Sequence, residues 1–259
     1  MIPPRMRFLT DEEYESYWDD LGGTREAVAR DLARSEDDLV LDVACGWGYY
    51  TFQLALNNPS GFIVALDFLP SAFTNMRRLQ RELSAPENIE PLITDASKLP
   101  LRDGVLDLAT SFLGMRDIHM ILGKKGVEKT IGEMSRATKK AGRVAIAATP
   151  PDLAETEDMR VAVEVEGEVF GARSLPSKLY RSTFEQQGIR LGTRSYRTGL
   201  KMTADQTRTE LREGIKIARE VYHRDVPDFA KVWEKYGPTI ERHGYGMYSK
   251  ITVFLGEKD

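Results

Sequence analysis

Three aspartates stand at the ends of apolar runs, and they are the side chains of this sequence best placed to hold a ligand. Asp42 closes Leu39-Val40-Leu41 and opens the stretch Asp42-Val43-Ala44-Cys45-Gly46-Trp47-Gly48. Glycines let backbone approach a ligand closely, and a helix beginning just beyond them presents unpaired N–H groups. A carboxylate beside such a turn repels phosphate and suits a group carrying an ammonium or sulfonium charge. The spacing fails as a dinucleotide fingerprint, because Thr51 occupies the third glycine position of Gly-x-Gly-x-x-Gly. Asp67 ends Phe62-Ile63-Val64-Ala65-Leu66 about twenty residues beyond the turn, where a carboxylate can accept both hydroxyls of a ribose. It is equally placed to cap a helix over 71–81. Asp95 follows the third run, Ile89 to Thr94.

The elements that must position these residues alternate between strand and helix. A helix-compatible stretch runs from Tyr49 to Leu56, and a fourth apolar run, Val105 to Ser111, delivers Ser111, Phe112 and Leu113 to its far end. Val127 to Thr138 reads as a helix with Ile131, Met134 and Ala137 inward. Gly142 permits the turn into a fifth strand, Arg143 to Ala148. A helix over 177–187, a sixth strand over 189–198 and a last strand over 248–256 complete the pattern. Continuous apolar strands joined by helices predict a parallel sheet covered on both faces, with ligands at its carboxyl edge. Ahead of it, 9–34 reads as two helices. The first is capped by Thr10 with Glu13 three residues on, the second by Thr24, with Gly22-Gly23 between them. The stretch 153–170 is ambiguous between strand and helix. Residues 204–236 read as a helical pair, with Leu211, Ile215, Ala218 and Tyr222 at helical spacing.

The run Asp42-x-Ala44-x-Gly46-x-Gly48 resembles motif I of class I S-adenosylmethionine-dependent methyltransferases, with alanine in the first glycine slot. Asp67 and Asp95 fall where that family's second and third landmarks stand, and the resemblance covers roughly 39–149. The segment Thr110-Ser111-Phe112-Leu113-Gly114-Met115-Arg116-Asp117-Ile118 is similar to its ubiquinone/menaquinone C-methyltransferases. Trp47 and Lys140-Ala141-Gly142 depart from that branch, so the kinship is to small-molecule methyltransferases and not to a particular acceptor. The resemblance implies a Rossmann-like α/β fold of seven strands, mostly parallel. Its last strand would insert antiparallel between the fifth and sixth. The expected organisation is an N-terminal helical segment (1–38), a cofactor-binding core (39–202), a helical lid (203–243) near the substrate face and the final core strand (244–259).

It also implies S-adenosylmethionine as methyl donor and S-adenosylhomocysteine as product. Asp42 would act near the amino end of the methionine portion, and Ala44, Gly46 and Gly48 would line that portion. Asp67 would take the ribose hydroxyls. Asp95 would accept from the adenine amine while the Ala96 N–H donates to a ring nitrogen. Cys45, Tyr50, Thr51, Phe68, Ser111 and Phe112 complete the candidate cofactor contacts. In the family such N-terminal helices often enclose the substrate, so Tyr14, Tyr17 and Trp18 are candidate substrate contacts, although they would serve equally to anchor their helix. Arg116, His119 and Tyr245 join them. His119 is the one candidate base, since histidine is the side-chain type that exchanges protons near neutrality; a lone histidine also occurs as a purely structural residue. Tyr248 begins the last strand.

The bulk properties set limits. The net charge of −4 argues against bulk nucleic-acid binding, and the single cysteine excludes an intramolecular disulfide. Three scattered histidines give no metal-ligand spacing. No apolar run approaches the roughly 18 residues of a membrane span. A cytoplasmic enzyme with a small-molecule substrate is expected. The alternative is a protein or RNA methyltransferase using the basic cluster Arg173, Lys178, Arg181, Arg190, Arg194, Arg197 and Lys201 to hold an anionic polymer. The fourth strand ends without Asn-Pro-Pro-Tyr or Pro-Cys, which argues against methylation of a nucleic-acid base.

Overall fold

The computed structural model describes residues 7–169, 175–220 and 223–259. In chain order the elements are β1 (Arg7–Phe8), α1 (Asp11–Asp20), α2 (Thr24–Leu32), β2 (Leu39–Val43), α3 (Tyr49–Leu56), β3 (Phe62–Asp67), α4 (Pro70–Glu82), β4 (Ile89–Ile93), β5 (Leu106–Phe112), α5 (Met115–Ala137), β6 (Thr138–Ala148), α6 (Glu157–Val169), α7 (Ser177–Gln186), β7 (Ile189–Arg197), β8 (Leu200–Lys201), α8 (Ala204–Glu220), α9 (Phe229–His243) and β9 (Lys250–Lys258). The chain divides into two compact units.

The larger unit comprises Gly23–Ala148, Lys178–Arg194 and Thr252–Asp259. Its seven strands run in the order β4-β3-β2-β5-β6-β9-β7. Neighbouring strands from β4 to β6 pair in parallel, and β9 pairs antiparallel with β6. The expected insertion of the last strand between the fifth and sixth is therefore present. Leu41, Val43, Ile63, Ala65, Leu106 and Ala109 are fully or almost fully buried, as continuous apolar strands under helices on both faces must be. Pro91 lies within β4, where the missing N–H is tolerated because the strand is an edge. The strand order reverses between β2 and β5. Such a switch point opens a crevice at the carboxyl ends of those two strands.

The smaller unit comprises Met1–Gly22, Thr149–Ser177 and Ser195–Ile251. In it α6, α8 and α9 pack on one another, and β1 pairs in parallel with β8. Its interior is partly polar. The Trp18 indole N–H donates to Glu210 at 3.1 Å, and the Tyr245 hydroxyl donates to Glu166 at 3.2 Å. Leu211, Ile215 and Ala218 are buried on one face of α8, as their spacing predicts; Tyr222 lies outside the described residues.

Several local expectations need correction. Thr10 does form a capping box with Glu13, but the second helix begins at Thr24 itself, with Gly23 in the cap position and no side-chain cap bond. The ambiguous stretch is helical over Glu157–Val169, because Val161, Ala162, Val165 and Val169 form one buried helical face. The helix after the fourth strand starts earlier, at Met115, and breaks at Gly123, which has φ +67°. The last strand starts at Lys250; Tyr248 lies in the turn before it. Among the described residues no helix is long and apolar enough to cross a membrane.

Candidate functional site

The glycine-rich turn leaves β2 at the switch point. Ala44, Gly46 and Gly48 all have positive φ, at +57°, +55° and +90°. Left-handed conformation suits glycine and strains alanine, so Ala44 is held there by its surroundings. They are visible at Gly114, where an added Cβ would lie 2.5 Å from the Ala44 Cβ. The turn after β2 and the turn into α5 thus touch. At Gly48 an added Cβ would lie 2.5 Å from the Met76 Cγ. Both the backbone angle and the packing require glycine there.

Backbone bonds lock this turn to the neighbouring strand. The Cys45 N–H donates to the Leu66 carbonyl and the Gly46 N–H to the Asp67 carboxylate, each at 2.9 Å. The other Asp67 oxygen accepts from the Leu69 N–H at 2.9 Å. Asp67 thus binds both turns, yet a carboxylate has about four acceptor sites. Capping and ribose recognition are compatible. Phe68 beside it is exposed. Beyond β4, Asp95 accepts from the Ser97 N–H at 2.8 Å, and the Thr94 N–H donates to the Asp67 carbonyl at 3.2 Å. Ala96 is buried.

Asp42 is 1% exposed and accepts from the Thr51 hydroxyl at 2.7 Å. Burial pushes its pKa up to about 7; the Thr51 bond and the Arg25 charge pull the other way, and the Asp67 charge adds to the rise. Asp95 is the opposite case. Burial is outweighed by bonds from the Ser97 backbone and side chain and by Lys98 and Lys129, which hold it below the usual carboxylate range. On β5, the Ser111 Oγ is fully buried without a hydrogen-bond partner. The Phe112 ring stacks on Tyr50 at 4.8 Å.

The structure therefore brings Asp42, Ala44, Cys45, Gly46, Gly48, Tyr50, Thr51, Asp67, Ser111 and Phe112 to the carboxyl ends of β2, β3 and β5, with Asp95 and Ala96 beyond β4. Arg116 and His119 follow on the first turns of α5, and the His119 Nδ1 is buried without a hydrogen-bond partner. Tyr14, Tyr17, Trp18 and Tyr245 belong to the smaller unit. There Tyr17 and Tyr245 are almost completely buried. Tyr14 donates to the Gln206 carbonyl at 3.3 Å, and burial, with Glu210, pushes its pKa up to about 12. A surface groove between α4 and β4, lined by Phe73, Arg77, Pro91 and Ile93 among others, includes none of the candidate residues.

Sequence reasoning missed Arg25. Its guanidinium carbon lies 5.6 Å from the Tyr49 ring centroid and 5.5 Å from that of Phe112. No local motif marks it, because the contact joins α2 to the start of α3 and the end of β5, which are distant in sequence.

A methyltransferase domain family matches residues 34–188. The chain belongs to that family, the class I methyltransferases. A demethylmenaquinone methyltransferase of Staphylococcus aureus is 30% identical over 122 residues, which is 46% of this chain and 46% of that protein. The match thus spans about half the length of the curated relatives. Among solved structures, the YcgJ protein of Bacillus subtilis superposes with a TM-score of 0.64 at 14% identity, covering 92% of this methyltransferase chain and 99% of that one. The [4+2]-cyclase SpnF superposes at 0.63 with 16% identity, covering 92% and 80%. At such identities the likeness establishes the fold. That a cyclase shares it shows why chemistry has to be argued from residues.

Proposed function

We propose that this chain binds S-adenosylmethionine at the turn after β2 and transfers its methyl group to a small-molecule acceptor. The observation that carries the reading is the set of carboxylates at the ends of three adjacent parallel strands, gathered around a positive-φ turn at a helix start. Two features of the chain fit such a ligand. Asp42 is desolvated next to that turn, as a carboxylate awaiting a cationic amine would be. The Ser111 Oγ is a buried polar atom without a hydrogen-bond partner at the same sheet edge.

In this reading Asp42 faces the amino group, the Ala44–Gly48 backbone lines the methionine portion, Asp67 accepts from the ribose, and Asp95 with Ala96 holds the adenine. When bound, the cofactor supplies a methyl group on a sulfonium, open to in-line displacement. The chain's share of the work is to hold the acceptor in line and to exclude water. His119 is the candidate base for an acceptor that must lose a proton.

The charge pattern favours a small acceptor over a polymer. In the basic cluster, Arg194 pairs with Asp31 at 2.8 Å and Arg197 with Glu155 at 2.6 Å. Arg181 lies over the Phe254 ring, and Lys201 donates to the His243 carbonyl at 2.5 Å. Arg173 lies outside the described residues. The carboxylate partners of Arg194 and Arg197 offset charge that those two could otherwise offer to a phosphate.

Calorimetric titration with S-adenosylmethionine and S-adenosylhomocysteine tests the cofactor reading. Micromolar binding is expected, weakened about 10- to 100-fold by Asp67→Ala as charge-assisted bonds are lost. Binding of NAD in their place would overturn it.

A further inference from the structure

The groove beside the edge strand lies wholly within the larger unit and takes no part in the site described above. Each of its walls is one face of one element. Pro70, Phe73, Thr74 and Arg77 recur at helical spacing along α4, and Pro91 and Ile93 alternate along β4. Ile93 is 56% exposed, so the groove offers open apolar surface beside the Arg77 charge.

The helix continues that charge beyond the groove. Arg77 and Arg81 are exposed and stand one turn apart, and neither guanidinium has an ion pair or hydrogen bond among the described residues. Arg78, by contrast, pairs with Glu82 at 3.0 Å. Like charges one turn apart repel, so an acidic partner relieves a repulsion that the free chain carries. A two-fold axis through the groove would set these arginines against their own copies, which disfavours a second copy of the chain as occupant.

The edge strand has unused backbone groups of its own. The Asn88 carbonyl accepts from the Ile63 N–H at 3.0 Å, and the Thr94 N–H donates to the Asp67 carbonyl at 3.2 Å. With an unbroken register between them, even-numbered residues from 88 to 94 turn their backbone toward β3. Alternation then turns the Pro91 and Ile93 carbonyls and the Ile93 N–H outward. Pro91 has no N–H to offer, which prevents a long strand from pairing along this edge. One residue of an incoming chain can still donate to the Pro91 carbonyl and accept from the Ile93 N–H, the two bonds a parallel neighbour makes. The side-chain spacing fits as well. Phe73, Arg77 and Arg81 advance about 6 Å per step along the helix axis, and alternate residues of an extended chain advance about 6.6 Å.

We propose that the groove between α4 and β4 binds an extended acidic peptide segment of another protein. An apolar side chain of that segment covers Phe73 and Ile93, and carboxylates at the next two alternate positions meet Arg77 and Arg81. Main-chain bonds at the strand edge hold the segment, and the alternate side chains select it. The inference is independent of the cofactor reading.

The test is fluorescence anisotropy with the labelled peptide Glu-Thr-Glu-Thr-Leu-Thr-Glu-Thr-Glu, whose pattern reads the same from either end and so presupposes no strand polarity. Saturable binding to the full chain is expected, weakening as salt rises. Gln for every Glu in the peptide, or Arg77→Gln with Arg81→Gln in the protein, should weaken it at least about 10-fold. Arg77→Glu with Arg81→Glu should instead bind the peptide carrying Lys for every Glu, a gain that misfolding cannot produce. Failure of the wild type to bind the acidic peptide, or binding indifferent to the two arginines, would refute the proposal. So would a dimer in sedimentation that Ile93→Ser dissolves, or pelleting with phosphatidylserine vesicles that Arg77→Gln abolishes, since either gives the groove a different occupant.

Discussion

The turns that follow β2 and β4 both present an aspartate to the carboxyl edge of the sheet, and they treat it in opposite ways. Asp42 sits at the central switch point under α3, is 1% exposed, and has one close donor in Thr51. Asp95 sits beyond an edge strand, is half-buried, and is surrounded by Ser97, Lys98 and Lys129. The same side chain is raised to about 7 in the first place and held below the usual range in the second. Position in the sheet decides which. A central strand end is dry, so its carboxyl keeps its proton closer to neutrality; an edge strand end is wetter, and its carboxyl ionises earlier.

The largest expected effect comes from removing the dry charge. Because the folded-state pKa of Asp42 is raised, the native chain binds a proton more tightly than the unfolded chain. The contribution of Asp42 to stability should therefore fall as pH rises from about 4 to about 7 and then level off. From 3.8 to about 7 the loss is at most about 4 kcal/mol. Asp42→Asn should reduce that slope in urea melts recorded across the pH range, leaving the parts from Asp38 and Asp117, which burial also raises, while weakening cofactor binding. A slope unchanged in the variant would remove Asp42 as a source.

The next effect concerns the turn that positions this carboxylate. Gly48→Val meets a left-handed backbone and the Met76 side chain together. It should cost about 2–4 kcal/mol in denaturant melts and eliminate S-adenosylhomocysteine binding. A stable variant with wild-type affinity would mean that the close backbone approach is not used.

The smallest effect belongs to the wet charge. Asp95→Asn should change stability at neutral pH by less than about 1 kcal/mol, since solvent screens a half-exposed carboxylate. The lowered pKa means that its contribution is present above the ordinary carboxylate range and is lost as pH falls below it. Difference melts between pH 7 and pH 2 should converge at the acid end. Measurable loss of adenosine-ligand affinity alongside near-unchanged stability would sharpen the contrast with Asp42.

Local features are legible in the sequence: strand ends near Asp42 and Asp67, the helix start after Gly48, the Thr10 capping box, and a helical pair over 204–236. These follow from periodicity and turn chemistry within a few residues, which act before the chain folds. The tertiary structure alone decided what depends on partners far apart in sequence. It placed Arg25 on the rings of Tyr49 and Phe112, and it drew Arg194 and Arg197 into ion pairs with Asp31 and Glu155. It also resolved Glu157–Val169 as a helix, because burial against α9 and α8 outweighs the β-branched alternation of that stretch. The difference between Asp42 and Asp95 belongs to the same class. Burial by the sheet sets the rise at Asp42, whereas at Asp95 burial is outweighed by Ser97 and Lys98, its neighbours along the chain, with Lys129.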